Sequence, residues 1–147
     1  MTDLYHQLGK NFKGEDIFVT IASGPVIVNE DKKFLLHISE STEKYQFTGG
    51  RLNDSQSPQQ NAINRPFEDL GLQVMLTEGV DPLIVTDEIE RDGKVERLVL
   101  MHYVAIIPVD AEIGECQWFS IDEIRELEKQ GQLSSLNVRI ACEHFLK

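Results

Sequence analysis

The order of apolar segments predicts an α/β fold in which helices cover both faces of one mixed β-sheet. Strand-like segments come first, one helical segment follows, and two long extended runs then precede two final helical segments. The dipeptide Asp92-Gly93 separates the two extended runs and is typical of a β-hairpin. The 147 residues fit one domain around a single core, so we expect residues 1–147 to form that domain.

The N-terminal part of the chain is predicted to begin with a helix or an arm. Within residues 1–14, a short helix or an arm over residues 2–12 would carry an apolar set of Leu4, Tyr5, Leu8 and Phe12. Residues 16–22 are rich in β-branched and aromatic types, which favours a strand. Ser23-Gly24-Pro25 then predicts a turn.

A hairpin and a short strand are predicted next. Residues 26–28 and 34–38 are predicted strands, and the polar turn at residues 29–32 that joins them favours their pairing as a hairpin. Residues 45–47 form a further short strand that ends at Gly49-Gly50. These segments place a glycine pair directly after a strand.

Residues 57–70 are predicted to form a helix. Ser57 is a good N-cap, Pro58 suits the first helical position, and Gly71 is the expected stop. One arc of this helix, at about 100° per residue, is expected to pack inward. Its members are Ala62, Ile63, Pro66, Phe67 and Leu70.

The rest of the chain is predicted as a hairpin followed by two helices. The hairpin strands are residues 83–91 and 94–107, within an extended region over residues 72–109. Ser120 and Glu123 form a capping box, so a helix is expected from there to about Lys129. Residues 136–146 form the last helix.

The charge balance argues against a nucleic-acid-binding surface. The chain has 25 acidic and 14 basic residues, giving a formal net charge of −11. Binding to phosphate backbones requires clustered Lys and Arg, which this balance does not favour. The acidic excess could be a solvated surface alone, or it could include carboxylates gathered around a metal ion.

Targeting and cysteine patterns favour a cytoplasmic protein without a membrane anchor. The first residues lack a basic start followed by an apolar run, so no signal peptide is predicted. The longest apolar stretch, residues 98–109, is 12 residues long, whereas a span needs about 20. Cys116 and Cys142 lack metal-site spacing and are expected to be small core residues in a reducing compartment.

Residues 50–72 contain the most specific pattern in the chain. A Gly-Gly turn leaves a strand, a polar loop follows, and a helix with carboxylates in its last turns ends at Gly71-Leu72. This segment resembles the Nudix box, G-x5-E-x7-R-E-U-x-E-E-x-G-U, in which U is a bulky apolar residue. Gly50, Glu68, Gly71 and Leu72 agree with the box without a gap, and Asp69 replaces the last Glu conservatively.

Several charged positions of the box are replaced. Gln56 stands at the first Glu, Asn64 at the Arg, and Arg65 at the Glu that follows it. Pro66 stands at the bulky apolar position, and Thr48 precedes Gly-Gly where many members have Pro. Two of the four box acids are therefore missing.

The resemblance implies a Nudix fold, an α/β/α sandwich with a mixed β-sheet. It also implies a hydrolase of nucleoside diphosphate derivatives that uses Mg²⁺ or Mn²⁺. Under that interpretation Glu68 and Asp69 are catalytic and metal-binding, and Gln56 assists at the metal. Glu115, just before Cys116-Gln117-Trp118, is the candidate for an additional catalytic acid. Gly49, Gly50 and Arg51 are the candidate substrate-binding residues.

Two replacements carry physical predictions of their own. Arg65 lies three residues before Glu68 and four before Asp69, spacings that bring helix side chains together. Its guanidinium could lie between the two carboxylates as a built-in counter-ion, or it could form an ordinary surface ion pair. Pro66 removes a helix hydrogen bond at a cost of about 3 kcal/mol, so a kink or irregular turn is expected near residues 64–66.

The remaining polar residues are expected to be structural or solvated. Acids that follow the helix and could compensate are Glu88, Glu90, Glu96, Glu112 and Glu115. An ordinary solvated acid is the favoured interpretation for each of them. The histidines lack ligand spacing, so satisfied or exposed structural roles are expected for His6, His37, His102 and His144.

Two functions stay open. The first is a divergent, weak hydrolase of nucleoside diphosphate-linked or other organic pyrophosphates. The second is a catalytically inactive Nudix domain that binds a nucleotide-like ligand or a protein partner. A homodimer is plausible under either function, through an exchanged arm at residues 2–12, whereas no nucleic acid or membrane partner is expected.

Overall fold

The structure is a computed structural model that describes residues 5–10, 13–52, 55–91 and 93–146. Side chains are described from residue 13 onward, except for residues 53–54, 89–92 and 147. The elements in chain order are β1 (Tyr5–Lys10), β2 (Asp16–Ile27), β3 (Phe34–Ile38), β4 (Tyr45–Gln46), β5 (Gly50–Arg51), α1 (Pro58–Leu70), β6 (Met75–Leu76), β7 (Leu83–Arg91), β8 (Lys94–Ile106), β9 (Gln117–Phe119), α2 (Ile121–Lys129) and α3 (Asn137–Phe145).

A mixed sheet dominates the fold, as predicted. Strand β2 pairs in parallel with β8 over the full length of β2, from Asp16 opposite Lys94 to Ile27 opposite Ala105. The antiparallel neighbours β1 and β5 pair with β2, whereas β6 and β7 pair with β8. The predicted hairpin of residues 83–91 and 94–107 is confirmed by the antiparallel pairing of β7 with β8, from Leu83 opposite His102 to Arg91 opposite Lys94.

A second, three-stranded sheet was not predicted. It contains β3 flanked by β4 and β9, all antiparallel. The predicted hairpin before β3 reduces to one bridge, Val28 opposite Phe34, because β3 pairs instead with β4, the next strand, and with β9, far along the chain. Short apolar strands show which residues are extended, but they do not identify their partners.

Two apolar clusters form the core, on opposite faces of the sheets. Alternation along the strands sends Val26 and Leu36 to one face and Ile27 and Leu35 to the other. The first cluster includes residues of α2 and α3, such as Ile124 and Cys142, whereas the second includes Leu72, directly after α1, and Cys116. Helices therefore lie on both faces, as the predicted sandwich requires, and both cysteines are buried core residues as expected.

Two expectations for the N-terminal half are wrong. Residues 5–10 form strand β1 rather than a helix, and β1 pairs with β2 of the same chain. Leu4 and Phe12 of the predicted apolar set lie outside the described residues. The turn expected at Ser23-Gly24-Pro25 is also wrong, because β2 continues through these residues to Ile27. Parallel pairing with β8 holds this segment extended despite its Gly and Pro.

Helix α1 is continuous, and its buried face differs from the prediction. The helix contains Pro66 without interruption, so the irregular turn expected there is wrong. Ala62 and Pro66 are buried as expected, but Ile63 and Phe67 are 39% and 56% exposed. Asn61 is buried in their place. The face of α1 that packs inward is thus rotated so that it includes Asn61, whose side-chain hydrogen bonds are described below.

The two C-terminal helices follow the sequence closely. The capping box at the start of α2 is confirmed, since the Ser120 hydroxyl accepts from the Glu123 amide and the Glu123 carboxylate accepts from the Ser120 amide. Both groups satisfy amides that a helix start otherwise leaves unpaired. Within the described residues, no helix is long and apolar enough to span a membrane.

Candidate functional site

Helix α1 is fixed at both ends by local signals in the sequence. The Ser57 hydroxyl accepts a hydrogen bond from the Gln60 amide, and the Gln60 side chain accepts one from the Ser57 amide. At the other end, Gly71 adopts a left-handed conformation with φ of 70°, and its amide donates to the carbonyl oxygen of Phe67. The helix that carries the box residues therefore begins and ends at the residues predicted for it, Ser57 and Gly71.

Asn61 connects α1 to β2 and β5. Its side chain is fully buried, and Nδ2 donates to the Gly50 carbonyl oxygen at 2.9 Å. The same Nδ2 lies 3.1 Å from Ser23 Oγ and 3.2 Å from the Ser23 carbonyl oxygen. Ser23 Oγ in turn donates to the Pro58 carbonyl oxygen at 2.7 Å. A buried polar cluster thus holds the box helix against the strands that precede it.

Arg65 extends this cluster. Its Nη2 donates to the Arg51 carbonyl oxygen at 2.7 Å, and its Nε donates to Asn61 Oδ1 at 3.3 Å. The guanidinium also packs against Gly50, where an added Cβ would lie 3.1 Å from Arg65 Cζ. The alternative of a built-in counter-ion between Glu68 and Asp69 is therefore wrong, because the guanidinium donates to the Arg51 carbonyl oxygen of β5 and to the Asn61 side chain instead.

Glu68 and Asp69 lie one turn further along α1. Both side chains are exposed, and Glu68 contributes to a shallow groove beside Phe67 and Gln73. Gln56, the third residue expected at the metal, lies half-buried just before the helix. The structure thus keeps two carboxylates of the box on α1, and Arg65 stands in the sequence where the pattern has a third.

The residues present do not fit the acid-rich metal centre that the Nudix resemblance implies. Within the ranges the structure describes, no three Asp, Glu, His or Cys side chains lie close enough together to hold an ion. A divalent cation needs several oxygen ligands around it. The carbonyl oxygens of Gly50 and Arg51, which could have supplied two, already accept hydrogen bonds from Asn61 and Arg65.

The other acids named as candidates are dispersed. Glu115 is exposed ahead of β9, where it helps to raise the pKa of the Cys116 thiol, a shift caused mainly by burial. Glu96 pairs with Arg51 at 2.8 Å, and Glu88 pairs with Arg97 at 3.5 Å. Glu112 lies in a groove beside the end of α1. The Glu90 side chain lies outside those the structure describes.

Gly49 and Gly50 line a cavity of about 210 Å³, whereas the Arg51 side chain turns toward Glu96. The loop is held tightly against β2 at this point. A Cβ on Gly49 would lie 2.6 Å from the Ser23 carbonyl oxygen, and one on Gly24 would overlap the Thr48 carbonyl oxygen. Only glycine allows these backbones to approach so closely.

We call this space the Phe47–His102 cavity, after the two rings in its wall. Its wall includes residues from β2, from β4 and the loop after it, from β8, and from the start of α3 and the segment before it. Among them are Gln46, Phe47, Thr48, Met101, His102 and Asn137. No carboxylate, ammonium or guanidinium belongs to the described side chains that line it. The cavity therefore presents apolar surface and neutral hydrogen-bonding groups.

His102 is the most unusual residue of this wall. It is only 8% exposed, and its Nε2 is buried without a hydrogen-bond partner among the described residues. Phe47 packs edge-on against the imidazole, with ring centroids 5.5 Å apart. Burial lowers the pKa of His102 from 6.5 to about 4, so the ring is neutral at physiological pH. The expectation of a satisfied or exposed histidine is wrong here.

Sequence reasoning did not identify Asn61 or His102 as site residues. Asn61 interrupts an arc that would otherwise be apolar, and a polar residue on an inward arc signals a buried hydrogen-bonding role. His102 interrupts the apolar run of β8 in the same way. The acceptors of Asn61 come from β2 and β5, and the ring beside His102 comes from Phe47, just after β4. A single sequence does not show that these segments meet.

Comparisons with known proteins agree on the fold alone. No family model matches the chain, and neither does any curated protein. A solved structure of a MutT protein from Methanosarcina mazei Go1 is similar, with a TM-score of 0.64 and 21% identity over 86% of this chain and 92% of that one. The E. coli dihydroneopterin triphosphate pyrophosphohydrolase gives a TM-score of 0.63 and 16% identity over 85% and 93% of the two chains.

The C. elegans Ap4A hydrolase is a third similar structure. Its TM-score is 0.60 at 19% identity, and the match covers 88% of this chain and 99% of that one. These identities are low, but the matches span most of each chain, and the box helix occupies the position that the residue pattern predicts. The chain therefore has the Nudix fold.

Proposed function

We propose that the chain is a Nudix-fold domain that binds a nucleotide-like small molecule in the Phe47–His102 cavity and does not hydrolyse it through the box acids. One observation carries this proposal. The position at which the Nudix pattern has a catalytic acid is occupied by Arg65, whose guanidinium donates to the Arg51 carbonyl oxygen at 2.7 Å. A cation held there cannot accept a proton or bind a metal ion.

The cavity supports the binding half of the proposal. It is concave, largely apolar and lined by a few neutral polar groups, which is the usual character of a small-molecule site. Gly49 and Gly50 line the cavity, and the Gly50 carbonyl oxygen accepts a hydrogen bond from Asn61 of the box helix. Nudix hydrolases of solved structure act on nucleotide compounds such as Ap4A, so a nucleotide-like ligand is the first class to test.

A divergent hydrolase is the second candidate. Glu68 and Asp69 remain exposed on consecutive positions of α1, where they can reach a ligand that arrives with its own metal ion. Two carboxylates supply fewer ligands than the family pattern has. We therefore expect any hydrolysis to be weak and to depend on Glu68.

One assay separates the two candidates. The protein is incubated with nucleotide sugars, dinucleoside polyphosphates, ADP-ribose and nucleoside triphosphates, with Mg²⁺ and with Mn²⁺. Phosphate-containing products and the melting temperature are then measured. A ligand that prefers the native state raises the melting temperature. We expect stabilisation by at least one compound without turnover.

Two variants make the outcome specific. Turnover that Glu68→Gln abolishes, while the matched exposed control Glu78→Gln retains it, would contradict the proposal and establish the hydrolase. Arg65→Glu restores the acid of the pattern. We expect it to bind Mn²⁺ in calorimetric titration more tightly than the unmodified protein, and equal affinity would show that Arg65 does not oppose metal binding.

A further inference from the structure

We propose that His102 selects the ligand of the Phe47–His102 cavity, by a hydrogen bond between its imidazole and the polar edge of an uncharged heteroaromatic ring. This inference rests on the proposed function, since it assumes that the cavity is occupied. It adds the chemical class of the group that enters and the residue that discriminates between such groups.

The first step is the unsatisfied nitrogen. Nearly all buried polar side-chain atoms in native proteins have a hydrogen-bond partner, so each exception needs an explanation. His102 Nε2 is such an exception, within a residue that is only 8% exposed. A nonpolar side chain of similar size would fit the wall without that cost. A partner that arrives with the ligand explains why a histidine stands there.

The second step is the size and charge of the cavity. Sites for whole drug-sized ligands measure roughly 300–1,000 Å³, so a cavity of about 210 Å³ holds one ring system rather than an entire nucleotide. The described wall has no cation, and an anion taken out of water requires one. A phosphate group is therefore expected to stay outside, whereas an uncharged ring enters.

The third step is the chemistry of the wall. A neutral imidazole has one N–H donor and one bare acceptor nitrogen, so it can match either a carbonyl group or an N–H on a ring edge. Phe47 offers an aromatic surface beside it, and Gln46 and Asn137 add amide groups that both donate and accept. A flat ring with alternating donors and acceptors carries groups of the kind that each of these side chains can bind.

Access to Nε2 requires one local movement. The Phe47 ring stands edge-on against the imidazole at 5.5 Å between centroids, and this ring is only half-buried. Entry of the ligand, in this proposal, includes a rotation of Phe47 away from His102, so that the ligand takes the place of the Phe47 ring beside the imidazole. The neighbouring backbone is held by the Gly24–Gly49 contact and does not need to change.

Thr20 provides a matched control. Its Oγ1 is the other buried side-chain atom without a partner among the described residues, and Thr20 is 0% exposed. It lies on β2, opposite Leu98 of β8, and it is not part of the cavity wall. Thr20→Val removes an unsatisfied polar atom of the same sheet without touching the proposed site.

The test is calorimetric titration of adenosine, guanosine, cytidine and uridine into the protein and into His102→Leu, His102→Gln and Thr20→Val. We expect at least one nucleoside to bind the unmodified protein and Thr20→Val equally. His102→Leu should weaken that binding at least tenfold and still melt at or above the unmodified protein, because an unsatisfied group has gone. His102→Gln, which keeps a polar end, should recover part of the affinity.

Three results would overturn the inference. They are no binding by any of the four nucleosides, unchanged binding in His102→Leu, and a lower melting temperature in His102→Leu, which would make the residue structural. If the nucleotide panel stabilises the protein while nucleosides do not bind, the proposed function stands and the role of His102 fails. If neither panel nor nucleosides bind, both fail.

Discussion

The buried amide of Asn61 provides the sharpest test of how the box helix is held in place. Asn61→Ala removes a side chain whose two N–H groups serve Ser23 and Gly50 and whose oxygen serves Arg65. Three effective hydrogen bonds are lost, each contributing about 1 kcal/mol. Alanine is the better helix former by a few tenths of a kcal/mol. We therefore expect a net loss of about 2–3 kcal/mol.

Asn64→Ala on the same helix is the matched control. Asn64 is exposed, so its replacement gives the same gain in helix propensity without the loss of buried hydrogen bonds. Equilibrium urea unfolding, followed by the fluorescence of the single tryptophan Trp118, measures both variants. The difference of about 3 kcal/mol corresponds to a melting temperature roughly 6–12 °C lower for Asn61→Ala. A difference below about 1 kcal/mol would refute the reasoning.

Three further predictions concern other parts of the structure. Burial lowers the pKa of His102 to about 4, whereas an unfolded histidine has a pKa of 6.5. Below pH 6.5 the unfolded chain therefore binds more protons than the folded one. The free energy of unfolding should fall by up to about 3 kcal/mol as the pH drops from 6.5 to 4. His102→Gln should remove that part of the decrease in pH-dependent urea unfolding. Ser57→Ala should cost about 1 kcal/mol through loss of the capping bond, while exposed Thr77→Ala should change little. Gly24→Ala should destabilise by more than about 2 kcal/mol in thermal unfolding because its Cβ meets the Thr48 carbonyl oxygen, and an unchanged melting temperature would show that the loop yields.

The sequence predicts those elements whose signals are local. The capping residues of α1 and α2, the Gly71 stop and the Asp92-Gly93 hairpin lie within a few residues of the groups they act on. The box spacing also predicted the Nudix fold correctly. Hydrogen bonds between residues that are close in the sequence can be predicted from the order of residues alone.

Features that depend on distant partners could not be predicted. The continuity of β2 through Gly24-Pro25 comes from pairing with β8, about 80 residues later in the chain. Burial of Asn61 depends on acceptors from β2 and β5, and the direction of the Arg65 side chain depends on the Arg51 carbonyl oxygen. The i,i+3 spacing made Glu68 available to Arg65, but it did not show that a better acceptor lay on another element.

The contact between Gly24 and Gly49 has a consequence for the thermodynamics of binding. The loop at residues 48–50 is pressed against β2 on one side. On the other side Gly50 accepts a hydrogen bond from Asn61 and packs against the Arg65 guanidinium, which donates to the carbonyl oxygen of the next residue, Arg51. One rim of the cavity is thus already ordered before any ligand arrives. Binding there requires little loss of backbone entropy. A ligand should therefore associate with a small change in hydrogen-exchange protection at this rim, and the entropy lost should come from side chains such as Phe47.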